Sequence, residues 1–197
     1  MRTILILGGL LLPIGFGIWH FGPGQEKVRL DEVARLLAGA DGFAAHQEWA
    51  EAEGLYVEAL KRLPAGRVEE GRRIRLELAR VQMQCGKLPT AHRDLTVLCD
   101  ELQGDKGVAP EFLADARSTL AQSQFYMTWL MRLEGLPREA WEPEIEAARQ
   151  NYRLLTEQSE VAGDAGGRKK HQEDLESAVR LARMDLSELQ GLPLPSQ

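Results

Sequence analysis

The side chains of this 197-residue chain that could do acid–base, nucleophilic or metal chemistry are a few histidines, two cysteines and 30 Asp/Glu. His46, His92 and His171 stand far apart, and none belongs to an HExxH pair or a His/Cys set with ligand spacing. "HQE" from His46 has the His and Glu that a zinc-activated water needs, but no Cys-x-x-Cys follows to complete the ligands. "GDAGGRKK", 163–170, has the composition of a phosphate loop without the GxxxxGK[ST] spacing or a preceding strand. Neither Ser nor Cys sits in a nucleophile elbow, and the acidic residues are spread along helix faces as solvation spreads them. No catalytic residue, cofactor or metal ligand is therefore expected, and the chain reads as a non-enzyme.

What remains is binding, and charge bounds the partners. The formal charge of −6 opposes a polyphosphate, because such affinity comes from Lys and Arg displacing counterions, so no nucleic acid is expected. Positive charge is nonetheless concentrated: from Lys61 to Arg93, nine Lys/Arg stand against three Glu. Such a segment is either a solvated face or a surface that steers an anionic partner or lies against lipid headgroups. Cys85 and Cys99 are too few for a disulfide framework or a zinc site and read as small apolar fillers.

The elements that would carry such a surface begin with "MRTILILGGLLLPIGFGIWHF", an uncharged apolar run after a single arginine. At ~1.5 Å per residue the run from Thr3 to Phe21 spans roughly 28 Å, close to a bilayer's hydrocarbon thickness. A transmembrane anchor over 1–21 and a linker over 22–29 are expected; a cleaved signal peptide and a buried core helix are the alternatives. The exit aromatics Trp19 and Phe21 suit an interfacial belt. The short N-terminal tail favours an N-in orientation, which puts the rest of the chain on the periplasmic side of an inner membrane; the cytoplasmic side is the alternative.

Beyond the linker the apolar residues recur at helical spacing. Asp31 reads as an N-cap, with Leu36, Ala40 and Phe43 on one stripe of the helix that follows. "EWAEAEGLYVEALKRLP" places Trp49, Ala52, Tyr56 and Ala59 on the stripe of a second helix that ends at Pro64. "RRIRLELARVQMQCGKLPTAHRDLTVLCDEL" repeats the arrangement, with Ala79 in a first helix, Gly86 at its end, Pro89 opening a second, then Ala91, Leu95 and Leu98. A third hairpin is read in "APEFLADARSTLAQSQFYMTWLMRLEG" and "AWEPEIEAARQNYRLLTEQ", whose Ala148, Tyr152 and Leu155 repeat the spacing of Ala52, Tyr56 and Ala59.

These residues resemble the tetratricopeptide repeat (TPR) family, whose 34-residue helical hairpins place small residues where helices cross closely. The match is good for Leu30 to Leu102; the offset from Ala52 to Ala91 is 39 residues, which implies an extra turn around "AGRVEEG". The resemblance implies an all-α fold: TPR-like repeats over 30–160 (about 30–64, 72–103 and 110–158) stacked as a solenoid. A flexible loop over 161–172, a capping helix over 173–190 and an extended tail over 191–197 complete the reading. It also implies that ligands dock in a groove lined by first helices, where Arg73, Leu76, Arg80 and Met83 would face a protein or peptide partner. "FYMTWLMRL", 125–133, is apolar nearly all round and is read as core, with Tyr126, Trp129 and Met131 as the alternative partner patch. The function expected is that of a bacterial-type, membrane-anchored scaffold or adaptor, a subunit or assembly factor of a membrane complex. The alternative is a binding protein for a small molecule or lipid.

Overall fold

The computed structural model describes residues 23–191, and these form eight α-helices and no strand. In chain order they are α1 (Pro23–Ala45), α2 (Trp49–Arg62), α3 (Val68–Gln84) and α4 (Leu88–Gly104), then α5 (Pro110–Leu133), α6 (Arg138–Val161), α7 (Ala165–Arg183) and α8 (Leu186–Gly191). The chain divides into two compact units, with the boundary after Ile74, inside α3.

The first unit is built on α1 packed against α2. Alanine is what lets them approach: Ala40 on α1 and Ala52 and Ala59 on α2 are fully buried, and a Cβ added to Gly39 would lie 3.0 Å from Leu55 Cδ1. Tyr56 fills the space beside them and donates its hydroxyl to Asp41 at 2.5 Å. The turn between the helices is closed by Glu48 N–H donating to Phe43 O and Gln47 N–H donating to Ala44 O, a Schellman arrangement. Its left-handed residue is Gln47, at φ 62°. The turns after α5 and α6 close in the same way, but there the left-handed residue is a glycine, Gly135 and Gly163; after α3, Lys87 N–H donates to Gln82 O across the left-handed Gly86.

The second unit holds two apolar clusters that share one helix. Leu76, Ala79 and Met83 of α3 pack with Leu88, Ala91, Leu95 and Leu98 of α4 and with Ala116 and Leu120 of α5. Ala121 and Trp129 of α5 pack with Ile145, Ala148, Tyr152 and Leu155 of α6, Ala178 and Leu181 of α7, and Leu189 of α8. Between these clusters α5 carries buried polar groups whose bonds are made locally or across to neighbours. Ser123 and Thr128 donate to Leu120 O and Gln124 O, and Gln124 Oε1 accepts from Asn151 at 3.0 Å. Near its end, the buried Arg132 donates to Leu181 O and Met184 O and lies 4.8 Å from the Trp141 ring. Those carbonyls belong to the last turn of α7 and its C-cap, which have no acceptor role left within the helix, so the guanidinium acts as their cap.

Several expectations are corrected here. A repeat of fixed length is absent, because the seven longer helices run 23, 14, 17, 17, 24, 24 and 19 residues; the TPR-like solenoid is replaced by all-α units of uneven helices. Asp31 lies inside α1, which starts at Pro23, within the expected linker. The expected loop over 161–172 is helical from Ala165, because the Asp164 side chain accepts from Gly167 N–H at 3.0 Å and starts α7. The expected capping helix breaks at Met184 and resumes as the short α8. The anchor expected over 1–21 lies outside the described residues, as does the tail beyond Gly191. Among the described residues no helix is long and apolar enough to cross a membrane, so the single-pass, inner-membrane placement has no support in the structure.

Two outcomes follow from these contacts. Replacing Gln47 by Gly removes a left-handed strain of about 1 kcal/mol and should raise the denaturation midpoint of the first unit, as read by urea unfolding. Arg132→Met leaves two helix-end carbonyls without a partner and should cost the second unit about 2–4 kcal/mol in the same measurement, with its helical signal at 222 nm retained before the transition.

Candidate binding trough on α5, α6 and α7

The residues expected to line a partner groove are not brought together on a surface. Leu76 and Met83 are only 1% and 5% exposed and belong to the core, because α3 turns its apolar stripe toward α4 and α5. Arg80 donates to Glu77 at 2.7 Å and to Asp115 at 2.5 Å, so its charge is already engaged. Arg73 is exposed, one residue before the end of the first unit. Of the alternative patch, Trp129 is core, Met131 is half-buried, and only Tyr126 lines an opening.

That opening is one of two successive hollows on α5, α6 and α7. The helix α6 packs along both α5 and α7, and α5 is tied to the C-terminal end of α7 through Arg132. Toward the opposite ends of α5 and α7 a trough opens above α6. Its stripes have helical spacing: Glu111, Ala114, Ser118, Gln122 and Phe125 on α5; Tyr152, Leu155, Ser159 and Ala162 on α6; His171, Asp174 and Ser177 on α7. From Pro110 to Tyr126 the α5 wall is roughly 24 Å long at ~1.5 Å per residue.

The wide hollow, about 670 Å³, is mainly apolar, with Leu113, Ala114, Leu154, Leu155 and Val161 in its lining. Val161 is 90% exposed and Leu154 37%. Its charged lining residues are Glu111, Glu157 and Asp164, with no Lys or Arg among them. Glu111 and Glu157 make no ion pair among the described residues, while Asp164 is engaged as the N-cap of α7. His171 also lines this end; burial first, and then Lys170, hold its imidazole below the usual histidine range, which leaves it neutral at pH 7. Its Nδ1 is buried without a hydrogen-bond partner.

The narrow hollow, about 270 Å³, is polar and aromatic, lined by Ser118, Gln122, Phe125, Tyr126, Tyr152, Lys170, Asp174 and Ser177. Phe125 and Tyr126 meet edge to face at 5.8 Å. Burial pushes the Tyr152 hydroxyl well above the usual phenol range. It also raises the Asp174 carboxyl, against the pull of the Lys170 ammonium, which does not reach Asp174 as an ion pair. The hollow is half-open and rimmed by charge, and it is smaller than the roughly 300–1,000 Å³ that enclose a drug-sized ligand. The expected small-molecule or lipid carrier beside 125–133 is therefore not supported.

Chemistry is equally sparse elsewhere. Among the described residues no group of three or more His, Cys, Asp or Glu could hold a metal ion. His92 lies 3.2 Å from Ser123 Oγ and 3.4 Å from Glu144, but the Ser123 hydroxyl is fully buried and donates to Leu120 O. Burial raises the Cys99 thiol to about 12, so it stays protonated.

No protein-family model matches the chain, and no curated protein matches it either. Membership of the tetratricopeptide repeat family, read from Ala52, Tyr56, Ala59 and Pro64, does not stand, and with it goes the membrane-anchored adaptor drawn from that resemblance. Sequence reasoning also passed over Asp174, Leu154 and Val161. The signal available for the last two was their excess over the Tyr152–Leu155 stripe, since apolar residues off the buried stripe of an amphipathic helix face outward.

The electrostatics of Asp174 give a pH-dependent outcome. A carboxyl whose folded pKa is raised binds more protons in the native state, so its ionisation lowers stability as pH rises above its ordinary value of 3.8. Asp174→Asn should therefore raise the melting temperature at pH 7, with the gain shrinking toward zero as pH is lowered to 3.8, as followed by thermal scans across pH.

Proposed function

We propose that the second unit is a non-catalytic protein-binding domain whose trough receives an amphipathic helical segment of a partner carrying Lys or Arg. The observation that carries this reading is the wide hollow: an exposed apolar surface around Val161 and Leu154, bordered by Glu111 and Glu157, which make no ion pair among the described residues. Exposed apolar patches with polar rims mark interaction surfaces, and an acidic rim without a lining cation favours a basic partner. The length of the α5 wall suits about four turns of helix. This surface is a different one from the α3 face that the sequence suggested, and the reading needs no membrane.

The test is selection from a displayed library of helical 15-residue peptides against the full chain. Enrichment of sequences with apolar residues at i, i+4 and i+7 flanked by Lys or Arg is the expected result. A Leu154→Glu/Val161→Glu double variant, whose sites are both exposed, should keep its circular dichroism and lose about tenfold or more in affinity for the selected peptides. Enrichment of acidic sequences, no enrichment at all, or unchanged affinity of the variant would overturn the reading.

A further inference from the structure

A carboxylate set among aromatic rings without a cation bonded to it needs an explanation. Asp174 projects from α7 into the narrow hollow beside Phe125, Tyr126 and Tyr152, and among the described residues it makes neither a hydrogen bond nor an ion pair. Its titratable neighbours on its own helix are Lys170, His171 and Glu173, the last a like charge that opposes its ionisation; across the hollow the titratable groups are the two tyrosine hydroxyls. Lys170 is exposed and its ammonium stays beyond ion-pair distance, so it is free to turn into water. His171 is neutral and lines the wide hollow. The site thus offers a partly desolvated negative charge, three aromatic rings and the polar ends of Gln122, Ser118 and Ser177.

Few side chains answer all of these. A guanidinium is planar, weakly hydrated, stacks on aromatic rings and donates two parallel hydrogen bonds to a carboxylate, with further N–H groups left for hydroxyl and amide oxygens. An ammonium would give up more hydration for fewer contacts. An anion would meet Lys170 at the lip but would have to sit beside the Asp174 carboxylate.

We infer that the narrow hollow is a recognition pocket for one arginine side chain of a bound protein, with Asp174 as its carboxylate partner and Phe125, Tyr126 and Tyr152 as its walls. The source of that arginine rests on the proposed protein-binding role of the trough, whereas the chemistry of the pocket stands apart from it. The pocket adjoins the stripe that lines the wide hollow, so an arginine about two helical turns from the apolar anchors of an occupying helix would reach it. This makes Asp174 a specificity-determining residue.

The pocket can be tested on the full, isotope-labelled chain with N-acetyl-L-arginine amide as probe and N-acetyl-L-citrulline amide, its uncharged near-isostere, as control. Saturable NMR shifts at Phe125, Tyr126, Tyr152 and Ser177 in the millimolar range are expected with the arginine probe and not with citrulline. Asp174→Asn should weaken the arginine response about tenfold, and Lys170→Gln, which removes the competing cation, should strengthen it about twofold to threefold. An equal response to citrulline, no saturable shift, an unchanged affinity in Asp174→Asn, or a stronger response to N-acetyl-L-glutamate amide would overturn the assignment. The Leu154→Glu/Val161→Glu variant separates the two proposals: it should keep the arginine response while losing the helical peptides. Peptide binding without a probe response would refute the pocket alone, and a probe response without peptide binding would refute the trough alone.

Discussion

The second unit depends on how one guanidinium satisfies the end of a helix. The last carbonyls of α7 have no donors within the helix, and leaving them buried and unpaired would cost about as much as a lost hydrogen bond for each. Arg132 supplies both donors from α5, and it does so from a buried position that it shares with the Trp141 ring. Burial works against its charge, and Asp185, just past the end of α7, works for it. The arrangement is therefore an ion held between a helix terminus, an aromatic face and a carboxylate, which together offset the cost of burying the guanidinium. With α5 and α7 tied at this end and α6 packed along both, the trough is left open at the other.

The placement of the polar and apolar hollows follows from that geometry. Near Arg132 the helices are close enough for Ala178 and Leu181 to reach Trp129 and Ala121, and the space is filled. One to two turns away, aromatic and polar side chains line a small cleft. At the far end nothing of comparable size among the described residues covers Leu154 and Val161, and the charged side chains that line the gap are the acidic Glu111, Glu157 and Asp164. A gradient from packed to open along three helices thus needs no special loop or cofactor, only one fixed end.

Much of this fold could be read from residue types. The alanine stripe of α2 is buried as its spacing requires, Ala91, Leu95 and Leu98 of α4 are core, and Ala148, Tyr152 and Leu155 of α6 are buried together. Pro110 opens α5 and Gly86 follows the end of α3. Other features were hidden for definite reasons. The glycines around Asp164 suggested a loop, but one side-chain cap outweighs their low helix propensity. Arg132 sits in an apolar run and looks like a surface charge until its carbonyl partners, about 50 residues on, are known. Small residues at helical spacing suggested a TPR array because close helix packing demands them in any helical hairpin, whatever its family. The trough was least legible, since it depends on which helices diverge in space, and residue spacing within one helix does not contain that.

The helix α5 takes part in both apolar clusters of the second unit, giving Ala116 and Leu120 to one and Ala121 and Trp129 to the other. It is the only helix of the described residues with members in the buried set of each cluster. A piece of chain that ends before α5 leaves the α3–α4 cluster without its lid, and a piece that begins after it leaves the α6–α7 cluster without its floor. The second unit is therefore not a string of separable hairpins in the manner of a modular array. It is one block with a shared spine, and the length from α3 to α8 is the smallest stretch in which every buried face of that spine is covered.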